Sequence, residues 1–242
     1  MSGLPPLNWG VVVFPGTNCE IETVYVLKEL LGQNARTVWH RETDLSEFDG
    51  LILAGGFAHG DYLRAGAVAR FSPVMDSISR FAGEGGAVVG ICNGFQVLVE
   101  AGLLPGAMLH NRSRRFLSRW VNLRAEASSS PLLSGLTPGE VFHVPAAHGE
   151  GCFFADPDVL SEMKANGQIA FRYSGEDGAV ADTANPNGSL ECIAGVTNAE
   201  GNVLALMPHP ERAAEAVLGG DDGRRILESI IRGVRPRLAR AA

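Results

Sequence analysis

Residues 87–101 read Ala-Val-Val-Gly-Ile-Cys-Asn-Gly-Phe-Gln-Val-Leu-Val-Glu-Ala, and the rest of the chain is organised around this stretch. Its first half is apolar and β-branched, which is typical of a short buried strand. Its second half places Phe95, Leu98 and Val99 on one apolar face of a helix. Cys92 therefore stands at the junction between a predicted strand and a predicted helix.

Glycine stands two residues before this cysteine and two residues after it, at Gly90 and Gly94. This is the spacing of a nucleophile elbow, with cysteine in place of serine. Two backbones approach closely in such a sharp turn, and only glycine fits beside the nucleophile. The turn would bring the sulfur to the start of a helix, where free N–H groups and the helix dipole favour the thiolate. A buried structural cysteine is the alternative interpretation of the elbow taken alone.

A second motif, Met207-Pro208-His209-Pro210-Glu211-Arg212, follows a strand-like run at 203–206. Proline on each side of His209 disfavours helix and favours extended backbone. Residues i and i+2 of an extended chain point the same way, so His209 and Glu211 are expected to share a face. Together with Cys92 they would form a nucleophile triad. Taken alone, His-Pro-Glu would be a polar turn with a surface salt bridge.

Strand-like and helix-like segments alternate over the first hundred residues. Strands are predicted at 9–14, 36–39, 49–54 and 88–91. This alternation predicts right-handed βαβ units, and so an α/β fold with a mostly parallel sheet flanked by helices. Later β-like runs predict added antiparallel strands, at 120–125, 140–144, 152–154 and 169–173, and a hairpin of 193–197 with 203–207.

Polar residues mark the expected start of two helices. Thr17 or Asn18 is expected to cap a helix that reaches about Leu31, and Asp156 to cap a helix over 157–166.

The chain length of 242 residues predicts one domain over 1–242, with a loose lead-in at 1–8 and a frayed tail at 235–242. An apolar content of 45% is ordinary for a globular protein. The net charge of −7, without a long basic block, argues against a nucleic acid or an anionic membrane as partner.

Four cysteines, at positions 19, 92, 152 and 192, are too far apart for a zinc-binding spacing, so no metal site is predicted. Cys19, Cys152 and Cys192 are expected to be reduced and packed. A catalytic thiolate implies a reducing compartment. No signal-peptide pattern is present, and no apolar run approaches the roughly 20 residues of a membrane span. A cytoplasmic location is therefore expected.

The elbow cysteine and the distant His-Pro-Glu resemble the class I (triad) glutamine amidotransferases, which have a flavodoxin-like fold. More narrowly, the chain is similar to the glutaminase subunits (subunit I) of phosphoribosylformylglycinamidine (FGAM) synthases, which act in purine biosynthesis. The matching stretches follow the order of that family and span almost the whole chain, at 13–19, 55–57, 60–66, 90–96, 147–151, 185–189 and 207–212.

The resemblance implies a role for each motif. Cys92 would attack the side-chain amide of glutamine, His209 would transfer protons, and Glu211 would hold His209. The oxyanion would be bound by the N–H of Asn93, which follows the nucleophile, and by the N–H of Gly56 or Phe57. Residues expected to bind the substrate are Gln96, one helical turn after the thiol, and the loop residues His148, Gly149 and Glu150.

The chain contains no Gly-x-x-x-x-Gly-Lys-Ser/Thr loop for ATP, so no cofactor is predicted for it. The step that consumes ammonia must then lie elsewhere. The resemblance implies a large, ATP-binding and Mg-using subunit of FGAM synthase as partner, together with a small third subunit. The alternatives are the glutaminase subunit of another synthase with the same triad, a stand-alone elbow-cysteine hydrolase, or a redox-sensing or interaction protein of related fold.

Two polar stretches each keep two interpretations. Asp61 and Arg64 are interpreted either as a local ion pair or as a contact with a partner. The basic run 111–115 predicts either a solvated turn or a docking surface.

Overall fold

The computed structural model describes Leu4 and residues 6–236. The lead-in and the tail predicted from the sequence fall partly on residues 1–3, 5 and 237–242, which lie outside the described residues. Asn8, the last residue of the predicted lead-in, is already part of a strand.

The described residues form eleven strands and five α-helices. The strands are β1 (Asn8–Val13), β2 (Asn34–Trp39), β3 (Gly50–Leu53), β4 (Ala87–Ile91), β5 (Ala107–Leu109), β6 (Leu117–Ala125), β7 (Val141–His148), β8 (Cys152–Phe154), β9 (Ile169–Ser174), β10 (Ile193–Thr197) and β11 (Val203–Leu206). The helices are α1 (Glu20–Tyr25), α2 (Pro73–Gly83), α3 (Asn93–Glu100), α4 (Pro157–Ala165) and α5 (Asp222–Gly233).

Nine of these strands form one sheet in the order β2-β1-β3-β4-β11-β10-β9-β6-β7. The strands from β2 to β11 pair in parallel. From β11 onwards every pairing is antiparallel, including the predicted β10–β11 hairpin. The predicted α/β fold, a parallel sheet with added antiparallel strands, is confirmed. The added strands extend the same sheet, while β5 and β8 pair separately.

Burial explains which strands form the centre of the sheet. Every residue of β3, β4 and β11 is buried, and these strands are almost continuously apolar, as expected for parallel strands that are covered on both faces. The unit β1–α1–β2 moves towards one edge of the sheet, whereas the unit β3–α2–β4 moves towards the other. Because such crossovers are right-handed, α1 and α2 lie on opposite faces.

The cap predicted at Thr17 or Asn18 is wrong, whereas Asp156 stands at the predicted N-cap position without the capping hydrogen bond. The first helix begins after Cys19 and continues from α1 as a π-helical segment, Val26–Leu30. The hydroxyl of Thr17 instead accepts from the Phe14 N–H at 2.9 Å, and the Asn18 side chain accepts from the Cys19 thiol at 3.2 Å. Asp156 does precede α4, but its side chain makes no capping hydrogen bond. Proline at the first helical position already removes one of the N–H groups that a cap would satisfy.

The helices are short. α5 is the longest of the α-helices in the described part of the chain, with 12 residues, and it buries Ile226, Ile230 and Ile231 against the rest of the core. Over Leu4 and residues 6–236, no helix has the length and the apolar character needed to cross a membrane.

The two elbow glycines let α3 lie directly on the sheet. A Cβ atom on Gly94 would stand 2.0 Å from the carbonyl oxygen of Leu53 in β3. A Cβ atom on Gly90 would stand 2.7 Å from the Leu98 side chain and 2.8 Å from the backbone of Gly94. Both positions therefore require glycine, because a Cβ atom at either one would collide with a neighbouring element of the fold.

We expect Gly94→Ala to lower the free energy of unfolding by about 2–3 kcal/mol, because the added methyl group must displace the Leu53 backbone. Urea unfolding measures this change. Gly83→Ala is the matched control, because that glycine ends α2 with no atom within 4 Å of its Cβ position. This control should leave stability unchanged or raise it by up to about 1 kcal/mol. Equal losses in both variants would contradict the steric explanation.

Candidate active site

Cys92 occupies the turn between β4 and α3. Its backbone has φ 52° and ψ −105°, a strained conformation for a residue other than glycine. The turn is held by hydrogen bonds: the Cys92 N–H donates to the Leu206 carbonyl at 2.9 Å, and the Cys92 carbonyl accepts from the Phe95 N–H at 3.0 Å. The side chain is 5% exposed. Strain that the surrounding fold maintains is typical of functional positions.

His209 and Glu211 follow β11, the strand beside β4. The His209 Nδ1 atom lies 2.6 Å from Glu211 Oε1, so the two side chains share a face as the sequence predicts. Both side chains are buried, and the backbone N–H of His209 donates to the Pro145 carbonyl of β7 at 2.8 Å. The imidazole is thus fixed by its own backbone and by a carboxylate.

The charges around His209 keep it protonated. Burial alone lowers the pKa of His209, but the charge of Glu211 and then that of Cys92 raise it well above 6.5. The Nε2 atom, on the opposite side of the ring from Nδ1, is buried and has no hydrogen-bond partner in the described chain. The arrangement therefore offers a proton close to the Cys92 sulfur, on a ring that a carboxylate orients.

Cys19 lies behind the imidazole, a position that sequence reasoning did not assign. Its sulfur stands 4.0 Å from His209 Nδ1 and accepts from Arg212 Nη2 at 3.0 Å. Arg212 also donates to Glu22 at 3.0 Å. A Cβ atom on Gly55 would stand 2.9 Å from the His209 ring and 3.0 Å from the Cys19 sulfur, so glycine is needed there.

Cys19, His209 and Glu211 place one potential metal ligand each within 4.8 Å of one another. We interpret these three residues as a base, His209, with two side chains that support it, and not as a metal site, for two reasons. The Nδ1–Oε1 distance of 2.6 Å is already a direct hydrogen bond. The Arg212 guanidinium, in contact with the Cys19 sulfur, places a positive charge where a metal ion would approach.

A cavity of about 190 Å³ opens beside the Cys92 sulfur. This is smaller than the roughly 300–1,000 Å³ of pockets for drug-sized ligands and suits a single amino acid. Seven of the residues predicted for the site line it: Gly56, Phe57, Cys92, Gln96, His148, Gly149 and Glu150. Asn93, His209 and Glu211 stand outside this lining, at the start of α3 and after β11.

The predicted oxyanion donors differ in availability. The Phe57 N–H already donates to the Gly16 carbonyl at 2.9 Å. No hydrogen bond within the described residues uses the N–H of Gly56 or that of Asn93. Asn93 is the first residue of α3, where N–H groups have no partner inside the helix. Of the three predicted donors, Gly56 and Asn93 therefore keep a free N–H in this conformation.

Gln96 reaches the cavity, but its amide is already engaged. The Gln96 Nε2 atom donates to the Glu150 carbonyl at 2.6 Å. Its Oε1 atom accepts from Asn93 Nδ2 at 2.9 Å, and the same Nδ2 atom donates to Asp61 at 3.1 Å. Gln96 therefore connects α3 to the loop at 149–151, which positions the wall of the cavity.

His148 is held by Asn111, which the sequence indicated only as part of a basic run. Asn111 Oδ1 accepts from the Gly151 N–H at 3.0 Å and lies 3.0 Å from His148 Nδ1, so this Nδ1 carries the proton. The His148 Nε2 atom is buried without a partner. Burial, and then the charge of His209, lower the pKa of His148 to about 4. His148 is thus a neutral acceptor, and no local pattern identified Asn111 as its support.

Asp61 also lines the cavity, although the sequence did not assign it to the site. The predicted local ion pair is wrong, because Arg64 pairs with Glu100 at 2.7 Å. Asp61 lines the cavity instead, facing Glu150. Burial, and then the charge of Glu150, raise the pKa of Asp61 to about 6.

Comparison with known proteins gives consistent results. A family model described as a CobB/CobQ-like glutamine amidotransferase domain matches residues 8–220. The phosphoribosylformylglycinamidine synthase subunit PurQ of Salinibacter ruber is 54% identical over 227 residues, covering 94% of this chain and 97% of that protein. The PurQ subunit of Methanosarcina acetivorans is 52% identical over 220 residues, covering 91% and 95%. A chain in the structure of PurLQS from Thermotoga maritima has a TM-score of 0.82 at 39% identity, covering 94% and 98%.

We expect Glu211→Gln to lower the pKa of His209, because burial acts in that direction once the carboxylate charge is removed. NMR titration of the imidazole measures this change. The raised pKa stabilises the folded state below pH 6.5, and this contribution is lost as the pH rises through the folded-state pKa. The stability difference between the two proteins should therefore narrow at alkaline pH.

Glu22→Gln is the control for this experiment, because it removes a carboxylate that contacts Arg212 and not His209. An unchanged His209 titration in Glu211→Gln would contradict the assigned ion pair.

Proposed function

The chain belongs to the CobB/CobQ-like glutamine amidotransferase family, and from this premise we propose that it is the glutaminase subunit of an FGAM synthase. It hydrolyses glutamine to glutamate and passes the ammonia to a partner subunit, which converts phosphoribosylformylglycinamide to its amidine with ATP. The carrying observation is the buried His209–Glu211 pair, whose charged imidazole lies beside the elbow sulfur of Cys92.

The first half of the reaction forms a thioester. The Cys92 thiolate attacks the carboxamide carbon of glutamine, and the resulting oxyanion accepts hydrogen bonds from the N–H groups of Gly56 and Asn93. Each such donor contributes on the order of 3 kcal/mol to catalysis. The proton on His209 Nε2 goes to the nitrogen as the carbon–nitrogen bond breaks, and ammonia leaves.

The second half releases glutamate. His209, now neutral, takes a proton from water, and the hydroxide attacks the thioester carbon. The thiolate leaves, and the imidazolium–thiolate pair is restored. Through both halves of the reaction, Glu211 holds neutral His209 in the same tautomer and stabilises its imidazolium form. This is the role of the acid in a nucleophile triad.

The surface around the cavity supports the proposal that a partner protein binds there. Phe57 and Phe116 line the mouth with ring centroids 6.4 Å apart, and both rings are about half exposed. Tyr62 and Leu63, next to Asp61, are 73% and 82% exposed. Exposed apolar side chains grouped at an opening are typical of a surface that another protein covers.

A partner also solves a chemical problem. Ammonia released into water at pH 7 is protonated and loses its nucleophilicity, so the step that uses it must be close. We assign this step to a large synthase subunit that binds ATP and Mg²⁺, with a small third subunit in the complex. We propose that this chain itself binds no cofactor.

We expect Cys92→Ala to lower glutamate release by at least about 10³-fold, as loss of a nucleophile does in other triads. Glutamate is measured for the isolated protein, and for the protein mixed with a synthase subunit loaded with ATP and formylglycinamide ribonucleotide. Cys152→Ala is the matched control, since this partly exposed thiol in β8 is not part of the site.

The outcomes separate the possible functions. Strong activation by the loaded partner, absent in Cys92→Ala, is the expected result. Full activity in Cys92→Ala would refute the assigned nucleophile. Glutamate release that never responds to the partner would indicate a stand-alone hydrolase, and no release under any condition would indicate an interaction or redox protein.

A further inference from the structure

A positively charged side chain lies close to the His209–Glu211 pair without binding it. Arg212 directly follows Glu211 in the sequence, and the two charges are close enough to interact. The guanidinium nevertheless donates to Glu22, from Nε at 3.1 Å and from Nη2 at 3.0 Å. Within the described residues, no ion pair joins Arg212 to Glu211.

One oxygen of the Glu211 carboxylate is left without a partner. Its Oε1 atom lies 2.6 Å from His209 Nδ1, whereas Oε2 is buried and no donor in the described chain reaches it. Buried polar atoms without a partner are uncommon in folded proteins, and a guanidinium is among the strongest donors to a carboxylate. The Arg212 guanidinium is therefore expected to turn to Oε2 unless another group holds it away.

Cys19 is the residue that lies against both side chains. Its sulfur accepts from Arg212 Nη2 at 3.0 Å, and it lies within 4.8 Å of a carboxylate oxygen of Glu211. The thiol donates its own proton to Asn18 Oδ1 at 3.2 Å, so the sulfur meets the guanidinium with its lone pairs. Burial raises the pKa of the Cys19 thiol, and this acceptor therefore carries no charge.

The backbone fixes the position of this sulfur. The Cys19 N–H donates to the Gly55 carbonyl at 3.2 Å, and the Cys19 carbonyl accepts from the Thr23 N–H at 3.2 Å and from the Thr23 hydroxyl at 2.6 Å. The side chain is 1% exposed. Because a Cβ atom on Gly55 would stand 3.0 Å from the sulfur, the sulfur cannot move aside without displacing its neighbours.

We propose that Cys19 is a positioning residue that holds the Arg212 guanidinium away from Glu211, so that the carboxylate acts on His209 alone. The inference rests on the proposed function, in which protonated His209 supplies the proton to the leaving ammonia. A guanidinium bonded to Oε2 would bring a second positive charge beside the imidazolium and would disfavour its protonated form. The thiol prevents this contact without adding a charge of its own.

Removal of the sulfur should release the guanidinium. In Cys19→Ala, Arg212 loses an acceptor and gains access to Glu211, so the imidazolium of His209 should lose its proton more readily. NMR titration of this imidazole should show a midpoint about 1 pH unit below that of the wild type, the order of effect of a neighbouring like charge. The alkaline limb of the kcat/KM profile for glutamine should move to lower pH by the same amount.

Several titratable groups face the His209 ring from different elements. They are Glu211 after β11, Cys92 in the elbow, Cys19 in the loop before α1 and His148 in β7. Only Cys19 changes in the first variant. A shift of the titration therefore reports the loss of this sulfur and the movement of the guanidinium that it contacts.

A second substitution separates this role from simple packing. Arg212→Gln removes the guanidinium, so in the Cys19→Ala background it should reverse most of the shift of the His209 titration. In the wild-type background the same substitution should have a smaller effect, because the sulfur already holds the guanidinium away. Such non-additivity shows that two residues act through each other. Equal effects of Arg212→Gln in the two backgrounds would overturn the inference.

Cys19→Ser tests the polar contact itself. Its hydroxyl is an uncharged acceptor for Arg212, so this variant should keep the wild-type titration of His209, and a shift as large as that of Cys19→Ala would overturn the inference. Cys152→Ala is the matched control, because this thiol in β8 lies outside the site, and it should leave the titration unchanged. An unchanged titration in Cys19→Ala would overturn the inference as well.

The titration does not depend on turnover, so the two proposals can fail separately. If the wild-type protein releases no glutamate, alone or with its partner, the proposed function fails even where the titrations shift as expected. If glutamate is released and Cys19→Ala titrates like the wild type, the function stands and the inference fails.

Discussion

The contact between Gly94 of α3 and the Leu53 carbonyl of β3 is the constraint on which the site depends. With no side chain at Gly94, the helix settles directly against the sheet. Cys92 then adopts its strained backbone at the end of β4, and the first N–H groups of α3, which have no partner inside the helix, follow it directly. A wider spacing between helix and sheet would move the sulfur, the Asn93 N–H and the Asn93 side-chain amide together, because all of them belong to the same turn.

The site handles charge in two different ways. The His209–Glu211 pair is buried and balanced, with Arg212 behind it to offset the carboxylate. A buried ion pair of this kind holds one geometry, because separating the partners would leave a charge without compensation. The carboxylates of the cavity, by contrast, have no lysine or arginine beside them among the lining residues that the structure describes.

The parts of the site that could be predicted depend on interactions between residues that are close together in the sequence. The elbow around Cys92 and the His-Pro-Glu motif depend on glycine sterics, on proline and on the two-residue period of extended chain, so each is visible within a few residues of sequence. The Asn111–His148 contact joins residues 37 apart, and Asp61 meets Glu150 only because two loops converge. The cap predicted at Thr17 or Asn18 failed for a related reason, since both side chains hydrogen-bond within their own loop.

The loop at 16–19 shows how residues outside the cavity belong to the site. Gly16 accepts from the Phe57 N–H, while the N–H groups of Asn18 and Cys19 both donate to the Gly55 carbonyl. The Cys19 sulfur meanwhile lies against the His209 ring. One short loop therefore positions both the loop at 55–57 and one side of the His209 ring. Because the Gly16 carbonyl occupies the Phe57 N–H, Gly56 is the one of these two predicted oxyanion donors whose N–H stays free, and this difference is set by a segment that lines no part of the cavity.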